Sequence, residues 1–600
     1  MDFSYKKSDN QGLFKCLEEN PEFGILESQN YIPLYDRFFS LSATNYNSII
    51  LNHRWRLNQV FSQETSNIFK CSIKDDKKKE KKSTYLKFSP LLDPLKYLLG
   101  NYDTTDANLF KLPSLGTTLC NSKLRDTNNS AYVDSFFSFL SSKLLNEHHF
   151  AHGLDFYGSF ISIKKDFRFN VIDDIDMLND SSFFRRNDKV LYELEDVDYD
   201  DTNGDTRNYR KKLNLCSDDD SKIILSLSDI VDIGQLDTIY NNDAIETELV
   251  PVNLEMDTDT YDKKKTHSNY SHSCSSRSSD TTEDGDTKED ADEMDPDAVK
   301  LESIILADGK MDAEDKSGGG KDSGKDGGED SGEDSGEDDE EGFETDDDET
   351  MDEEVLIAKI KMFPVQVIAL EKCENTLDHL MAHGTIDNDM WDSIVLQVLF
   401  SLITFQKTFS FTHNDLHTNN IMYCETDKKF LYYKLNHIYY KVPTFGKLFK
   451  IIDFGRAIYK FRGQLLCSDS YHPDGDAATQ YNCEPYFNDK KPRLEPNMSF
   501  DLCRLGCALY DFLIDEPQSK IRQIMLNWVL DDKGRNILYK KNGDERYLEF
   551  KLYKMIARTV TKHVPIDVLT NAYFDKFIIP KKEIKQALQV MDLDVIPCYV

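Results

Sequence analysis

The stretch His413-Asn414-Asp415-Leu416-His417-Thr418-Asn419-Asn420 sets an Asp two places after a His and an Asn five places after that Asp. Asp453-Phe454-Gly455 follows, with Asp453 thirty-three residues beyond Asn420. This set supplies what metal-assisted phosphoryl transfer needs. One carboxylate must accept or orient the proton of an attacking hydroxyl, while an amide and a second carboxylate hold a hard cation against phosphate oxygens. Asp415 suits the first task. Asn420 and Asp453 suit the second, because magnesium prefers oxygen ligands. Gly455 reads as the residue that lets the backbone turn where a side chain would clash.

Such groups work only if regular elements hold them in register. Met390 to Phe409 is apolar nearly all round, which predicts a buried helix ahead of the loop. A hairpin over Phe430 to Val442 and a strand over Leu448 to Ile452 follow, the strand delivering Asp453. Ser499 to Ile514 and Leu548 to His563 read as further helices. Upstream, Val133, Phe136, Phe137, Leu140, Leu144 and Leu145 fall at three-to-four spacing, predicting a helix over Tyr132 to His149. Strands are predicted over Phe156 to Ile163 and over Met362 to Leu370, the latter ending in Glu371-Lys372-Cys373. Between them, from about Phe169 to Thr260, short apolar pieces such as Ile223 to Leu227 alternate with Asp-rich stretches.

The net charge of -36 is unevenly spread. Residues 281–354 hold 33 Asp or Glu against 6 Lys, a net of -27, leaving only -9 for the remainder. The wider segment 261–354 has almost nothing apolar to bury beyond Val299 to Ala307, so it is expected to be disordered. Gly319 to Lys325 fits the spacing of a phosphate-cradling loop, but Asp326 stands where a Ser or Thr would bind magnesium and no strand precedes it. Without a basic footprint beyond short runs such as Lys77 to Lys82, nucleic acid is not an expected partner. Twelve scattered Cys without a C-x-x-C pair suggest reduced thiols and a cytoplasmic setting. Cys503 and Cys507 lack a zinc-spaced partner. The longest apolar run, Ile394 to Phe405, is too short for a bilayer, so no membrane association is expected.

Residues 355–515 resemble the eukaryotic-type protein kinase superfamily. The loop at 413–420 and the Asp453-Phe454-Gly455 triplet carry the resemblance, with Asp501-Leu502-Cys503-Arg504-Leu505-Gly506-Cys507-Ala508-Leu509-Tyr510 as a third motif, whose Asp steadies the catalytic loop from below in that family. The resemblance implies an α+β, bilobal fold with a small β-rich lobe and a large helical lobe. It further implies ATP and Mg2+ as cofactors and transfer to Ser or Thr hydroxyls of a protein substrate. Asp415 would be the base, with Asn420 and Asp453 on the metal. Thr84-Tyr85-Leu86-Lys87-Phe88 resembles the family's V-A-I-K strand, making Lys87 the expected contact to the α- and β-phosphates. Its acidic partner would be Asp134 or Glu147, and Asp134 better fits the distance to the next strand. Glu371 and Cys373 would form the hinge that reads adenine through backbone groups, their side chains incidental.

Departures from the family pattern narrow this reading. Asn414 stands where an Arg usually reads a phosphorylated activation loop, so switching of that kind is not expected. His417 replaces a Lys, and Asp-Leu-His is also typical of aminoglycoside and choline kinases and of haspin-like kinases; a small-molecule phosphotransferase is therefore the alternative. No A-P-E follows Asp453, and no G-x-G-x-x-G occurs in residues 30–87, which leaves a non-glycine turn near Ser62 to Asn67 to cover phosphates and admits a pseudokinase scaffold. The implied division is an extension over 1–29, a first part of the small lobe over 30–168, an irregular insertion over 169–260, the acidic segment over 261–354, a strand and hinge over 355–373, and the catalytic lobe over 374–600. With its long insertion, the chain resembles kinase-like proteins of large DNA viruses, implying host cytoplasm or virion. Ser331 and Ser335 resemble acidophilic-kinase sites, and the acidic run suits a basic protein partner.

Overall fold

Alternating burial builds the first half of the chain. In Ile68–Lys74, Phe69, Cys71 and Ile73 are buried on one face while Lys70 faces solvent, the period of a sheet strand. The computed structural model describes residues 1–197, 355–514, 518–585 and 588–600. Seven strands of an antiparallel sheet are β1 (Ile25–Gln29), β2 (Arg56–Gln63), β3 (Ile68–Lys74), β4 (Lys79–Pro90), β5 (Phe156–Asn170), β6 (Tyr192–Val197) and β7 (Val355–Glu371). Their order is β1-β5-β7-β4-β3-β2, with β6 pairing the first part of β7. Pro364 of β7 lies where β4 has ended (Pro90 opposite Val365) and β6 has not begun (Tyr192 opposite Ile360), so its missing N–H disrupts little.

Helix α1 (Ser130–His148) packs on β5 and β7. Its N-cap is Asn129, whose side chain accepts the Ala131 N–H at 3.1 Å, and it ends in left-handed His149. The second half is largely helical: α2 (Leu377–His383), α3 (Asn388–Phe409), α4 (Phe500–Ile514), α5 (Lys520–Asn527) and α6 (Lys551–Thr559). Asp387 caps α3 through the Met390 N–H at 2.8 Å, and the helix is buried from Trp391 to Phe405. Short strand β8 (Asn375–Thr376) joins β9 (Ile421–Glu425), which pairs antiparallel with β12 (Lys447–Ile451). Between them, β10 (Phe430–Leu435) and β11 (Ile438–Pro443) form the hairpin of a second small sheet, completed by β13 (Ile578–Ile579) and β14 (Val590–Asp592). Beyond the expected hairpin and the strand before Asp453, the region after residue 374 thus adds the short strands β8, β9, β13 and β14.

A continuous core joins the large sheet to α1 and α3. Phe137 of α1 sits at its centre, with ring centroids 4.3 Å from Phe411, 4.6 Å from Phe454 and 4.9 Å from Tyr459. The expected boundary at residue 29 is corrected, and the irregular insertion is partly regular. Residues 1–29 are no mere extension: they supply β1 and bury Phe3, Leu13, Phe14 and Leu17 in this core. Residues 169–197 are ordered too. Val171, Leu178 and Phe184 are buried, Phe184 stacks on Tyr192 at 4.5 Å, and β6 joins the sheet. The remainder of the Asp-rich insertion, the acidic segment with its Gly319 to Lys325 spacing, and Ser331 and Ser335 lie outside the described residues. Among the described residues no helix is long and apolar enough to cross a membrane.

Candidate functional site

A cleft of about 1100 Å3 is lined by Lys87, Asp134, Cys373, Asp415, Asn420 and Asp453. The β9–β12 ladder explains the meeting of two of them. Ile421 lies opposite Ile451, and the Ile452 N–H donates to the Asn420 carbonyl at 3.0 Å, so Asn420 and Asp453 emerge from neighbouring strand ends. Lys87 arrives from β4, opposite Ile368 of β7, and Asp134 from the second turn of α1.

The Lys87 Nζ lies 2.8 Å from Asp134 Oδ2 and 2.8 Å from Asp453 Oδ1. Burial opposes the ammonium charge, but the two carboxylates together outweigh it and hold Lys87 above the usual lysine range. Asp134 uses its other oxygen to accept the Phe454 N–H at 3.0 Å, fixing the start of the Asp-Phe-Gly turn. Glu147, the other candidate partner, pairs instead with Lys143 at 2.7 Å. Asp453 itself has a left-handed backbone (φ 62°), and its Oδ1 accepts the Gly455 N–H at 3.4 Å. This corrects the expected role of Gly455. A Cβ there would meet Asp453 Oδ1 at 3.4 Å, an ordinary contact, so the strained residue of the turn is the aspartate.

The loop at 413–420 is bound from below. Asp501, fully buried on α4, accepts the His413 N–H at 2.9 Å and the Asn414 N–H at 2.8 Å. His413 Nδ1 accepts the Asp415 N–H at 3.3 Å, leaving Nε2 to donate to the Ile452 carbonyl at 2.9 Å. Asn414 is also left-handed (φ 65°), a conformation Asn tolerates. Its amide donates to Thr412 Oγ1 and the Arg456 carbonyl and accepts the Tyr481 hydroxyl at 2.8 Å. Where the family pattern has a charged reader, this chain has an internal staple.

Asp415 Oδ1 accepts the Tyr553 hydroxyl at 2.7 Å, and its Oδ2 lies 3.7 Å from Arg456 Nη1. Burial pushes the carboxyl up, but the Arg456 and Arg504 guanidinium groups and the Tyr553 hydroxyl outweigh it and hold Asp415 below the usual carboxylate range. Asp415 is therefore ionised at neutral pH and able to accept a hydrogen bond from a hydroxyl. Arg456 also pairs with Asp476 at 2.5 Å. Burial lowers His417 to about 4, so its imidazole is neutral and Nε2 accepts from Asn420 Nδ2 at 3.1 Å. The same Nδ2 donates to the Asp415 carbonyl at 2.8 Å. Both amide hydrogens are thus committed within the loop, which orients the amide and reserves Oδ1 as its acceptor atom.

The end of β7 needs a correction. The Glu371 side chain is not incidental: its Oε1 accepts the Asp155 N–H at 2.7 Å and pairs with Lys450, which also donates to the Gly153 carbonyl at 2.8 Å. Cys373 is buried on the cleft wall with its Sγ 3.5 Å from Cys424 Sγ. The β2–β3 turn contains no glycine; Glu64 and Thr65 N–H groups donate to the Ile68 carbonyl, and Gln63, Ser66 and Asn67 line the cleft. Among the described residues no three His, Cys, Asp or Glu cluster as a metal site. Tyr553, Arg456 and Lys450 escaped the sequence reading. Arg456 adjoins a motif and could have been weighed, whereas Tyr553 reaches Asp415 across 138 positions with no spacing signal.

No known protein-family profile matches the chain. One curated relative is similar: "Uncharacterized protein 098R" of Invertebrate iridescent virus 6, 30% identical over 134 residues. That similarity covers 21% of this chain and spans only 20% of the relative.

Proposed function

We propose that the chain is a protein kinase of divergent type, with a bilobal kinase-like fold, that transfers the γ-phosphoryl group of ATP to Ser or Thr hydroxyls of a protein. The convergence of Lys87, Asp134 and Asp453 carries this reading. Three charged groups distant in sequence meet at 2.8 Å contacts on a cleft that also holds Asp415 and Asn420. The Asp134 side chain is only 4% exposed, and a carboxylate taken that far out of water is costly without the Lys87 ammonium beside it; charged clusters of this kind gather at functional clefts.

In this reading Lys87 contacts the α- and β-phosphates, and Asp134 holds its ammonium in place. Asn420 Oδ1 and the Asp453 carboxylate would hold magnesium; two hard oxygens plus phosphate and water ligands suit that ion. Bound there, the ion would neutralise charge on the transferring group. Asp415 orients the acceptor hydroxyl and receives its proton as the new O–P bond forms and the bond to ADP breaks. The neutral His417 keeps the Asn420 amide facing the right way. The glycine-free β2–β3 turn serves as the phosphate cover. Host cytoplasm or virion, and a basic protein partner for the acidic segment, belong to the same reading.

A small-molecule acceptor is the second reading. Beside Asp-Leu-His, residues of the segment 469–476 line the cleft, and Asp476 pairs with the Arg456 that neighbours Asp415. The test has two steps. Wild-type protein should gain thermal stability with ATP and Mg2+, and Asp453→Asn should lose most of that gain. Radiolabel transfer to a mixed protein panel, but not to a metabolite panel, should then vanish in Asp415→Asn. Absence of any nucleotide-dependent stabilisation in the wild type sinks every enzymatic reading, and binding without transfer leaves a scaffold.

A further inference from the structure

Asp469 is only 5% exposed and belongs to no part of the transfer chemistry above. It begins a short 3-10 turn, Asp469–Tyr471, in the segment that returns from the Asp-Phe-Gly motif. Its Oδ2 pairs with Lys123, and its Oδ1 accepts the Ser130 N–H, the first amide of α1, at 2.9 Å. Its own N–H donates to the Asn128 carbonyl at 2.7 Å. One residue thus takes a side-chain cation, a helix-terminal amide and a backbone carbonyl, all from the ten residues that lead into α1.

We propose that Asp469 is a positioning residue whose buried carboxylate latches segment 468–476 to the N-terminus of α1 and thereby holds Asp134 against Lys87. Asp134 lies four residues, about one helical turn, beyond Ser130, so a displacement of the first turn moves it directly. Asn129 fixes the same turn to the sheet side, donating at 3.0 Å to both the Leu91 and Lys123 carbonyls. Arg37 braces the other side, from Asn128 Oδ1 at 3.2 Å to the Leu465 carbonyl at 2.6 Å. Tyr459 donates to the Val133 carbonyl at 2.9 Å. Among these ties the Asp469 carboxylate is the one that meets an opposite charge, the Lys123 ammonium. A carboxylate at a helix N-terminus, paired with a lysine, forms charge-assisted bonds stronger than neutral ones. Its removal strands the Lys123 ammonium and the Ser130 amide. Because the latch is a built-in carboxylate, the arrangement of Asp134 needs no phosphorylation of this segment. That agrees with Asn414, which is committed to internal hydrogen bonds and reads no phosphate.

The catalytic consequence rests on the kinase reading, but the latch does not, and the two are tested separately. Amide hydrogen exchange across 128–136 is measured on the full chain without nucleotide for wild type, Asp469→Asn, Asp469→Ala and Lys123→Met. Asp469→Ala should speed exchange at the start of α1 about tenfold, the effect of losing one charged hydrogen-bonded contact. Asp469→Asn, which keeps an acceptor for Ser130, should fall between it and wild type. On whichever of histone or casein the wild type phosphorylates, Asp469→Ala should lower kcat about tenfold and leave the acceptor KM unchanged. Should Asp469→Ala fail to fold, Lys123→Met, a substitution at a partly exposed side chain, carries the same exchange test. Wild-type exchange at 128–136 in every folded variant overturns the latch, whatever the activity. Loosened exchange in a protein that transfers no phosphate even as wild type keeps the latch and removes the kinase reading.

Discussion

Replacing Lys87 by Met should destabilise the protein in a way that a second substitution partly repairs. The ammonium sits 2.8 Å from each of Asp134 and Asp453. The Asp134 side chain is 4% exposed and the Asp453 side chain 38%. Solvent screens the Asp453 side, so the cost falls on Asp134. A buried carboxylate deprived of its counter-ion costs about 3–5 kcal/mol. Asp134 keeps the Phe454 N–H, and Met at 87 admits some water, which reduces the expected loss to about 2–3 kcal/mol. Asp134→Asn retains an acceptor for Phe454 and leaves Lys87 with Asp453, so about 1 kcal/mol is expected. The double variant removes the buried charge together with its partner and should be more stable than Lys87→Met alone, with a coupling of about 1–2 kcal/mol. Urea unfolding followed by tryptophan fluorescence at pH 7.5 reads all three. The pH is well chosen: a lysine whose folded pKa is raised contributes fully below its unfolded value, and loses that contribution only as pH rises through the folded one. Strict additivity, or Lys87→Met unfolding within about 0.5 kcal/mol of wild type, would refute the claim that one ammonium compensates a buried carboxylate here.

Two further outcomes follow from the same contacts. Tyr553→Phe removes the hydroxyl donated to Asp415 at 2.7 Å while keeping a ring that packs beside Arg456 and Arg504; on the proposed kinase reading, initial-rate kinetics should show kcat reduced about tenfold to a hundredfold with the KM for ATP unchanged, in line with one hydrogen bond to a charged group, and an unaltered kcat would remove Tyr553 from the site. Buried His53 and His152 are lowered by desolvation to about 3 and about 4. Each therefore binds its proton more readily when unfolded, and stability should fall as pH drops below about 6.5, by about 1 kcal/mol per residue at pH 5.5. Urea midpoints at pH 7.5 and 5.5 check this, and equal values would contradict neutral burial of both rings.

Much of the local architecture was legible in the chain. The three-to-four spacing of Val133, Phe136, Phe137, Leu140 and Leu144 marks α1, whose structure spans Ser130–His148. The apolar run ahead of the loop marks α3, capped by Asp387. Asp415, Asn420 and Asp453 were legible as candidates because two sit on one short loop and the third ends the strand paired beside it. The share of residues 1–29 and 169–197 in the core was not legible. Their apolar residues come in short clusters that match no period long enough to announce a strand partner, and pairing of β1 with β5 joins residues far apart in sequence.

Sequence alone determined which side chains could do chemistry and which segments would become α1, α3 and the strand before Asp453, since both follow from residue type and local periodicity. Only the tertiary structure decided between Asp134 and Glu147 as the partner of Lys87. Both lie on one helix, and the choice depends on which turn of α1 faces β4. It alone placed left-handed backbone at Asp453 and not at Gly455, turned Glu371 from a bystander into the partner of Lys450, and brought Tyr553 to Asp415 and Asp469 to Ser130. The physical reason is common to all of these. Hydrogen bonds and ion pairs between distant elements are short-ranged and directional, so they exist only once the core has set the elements at their final separation.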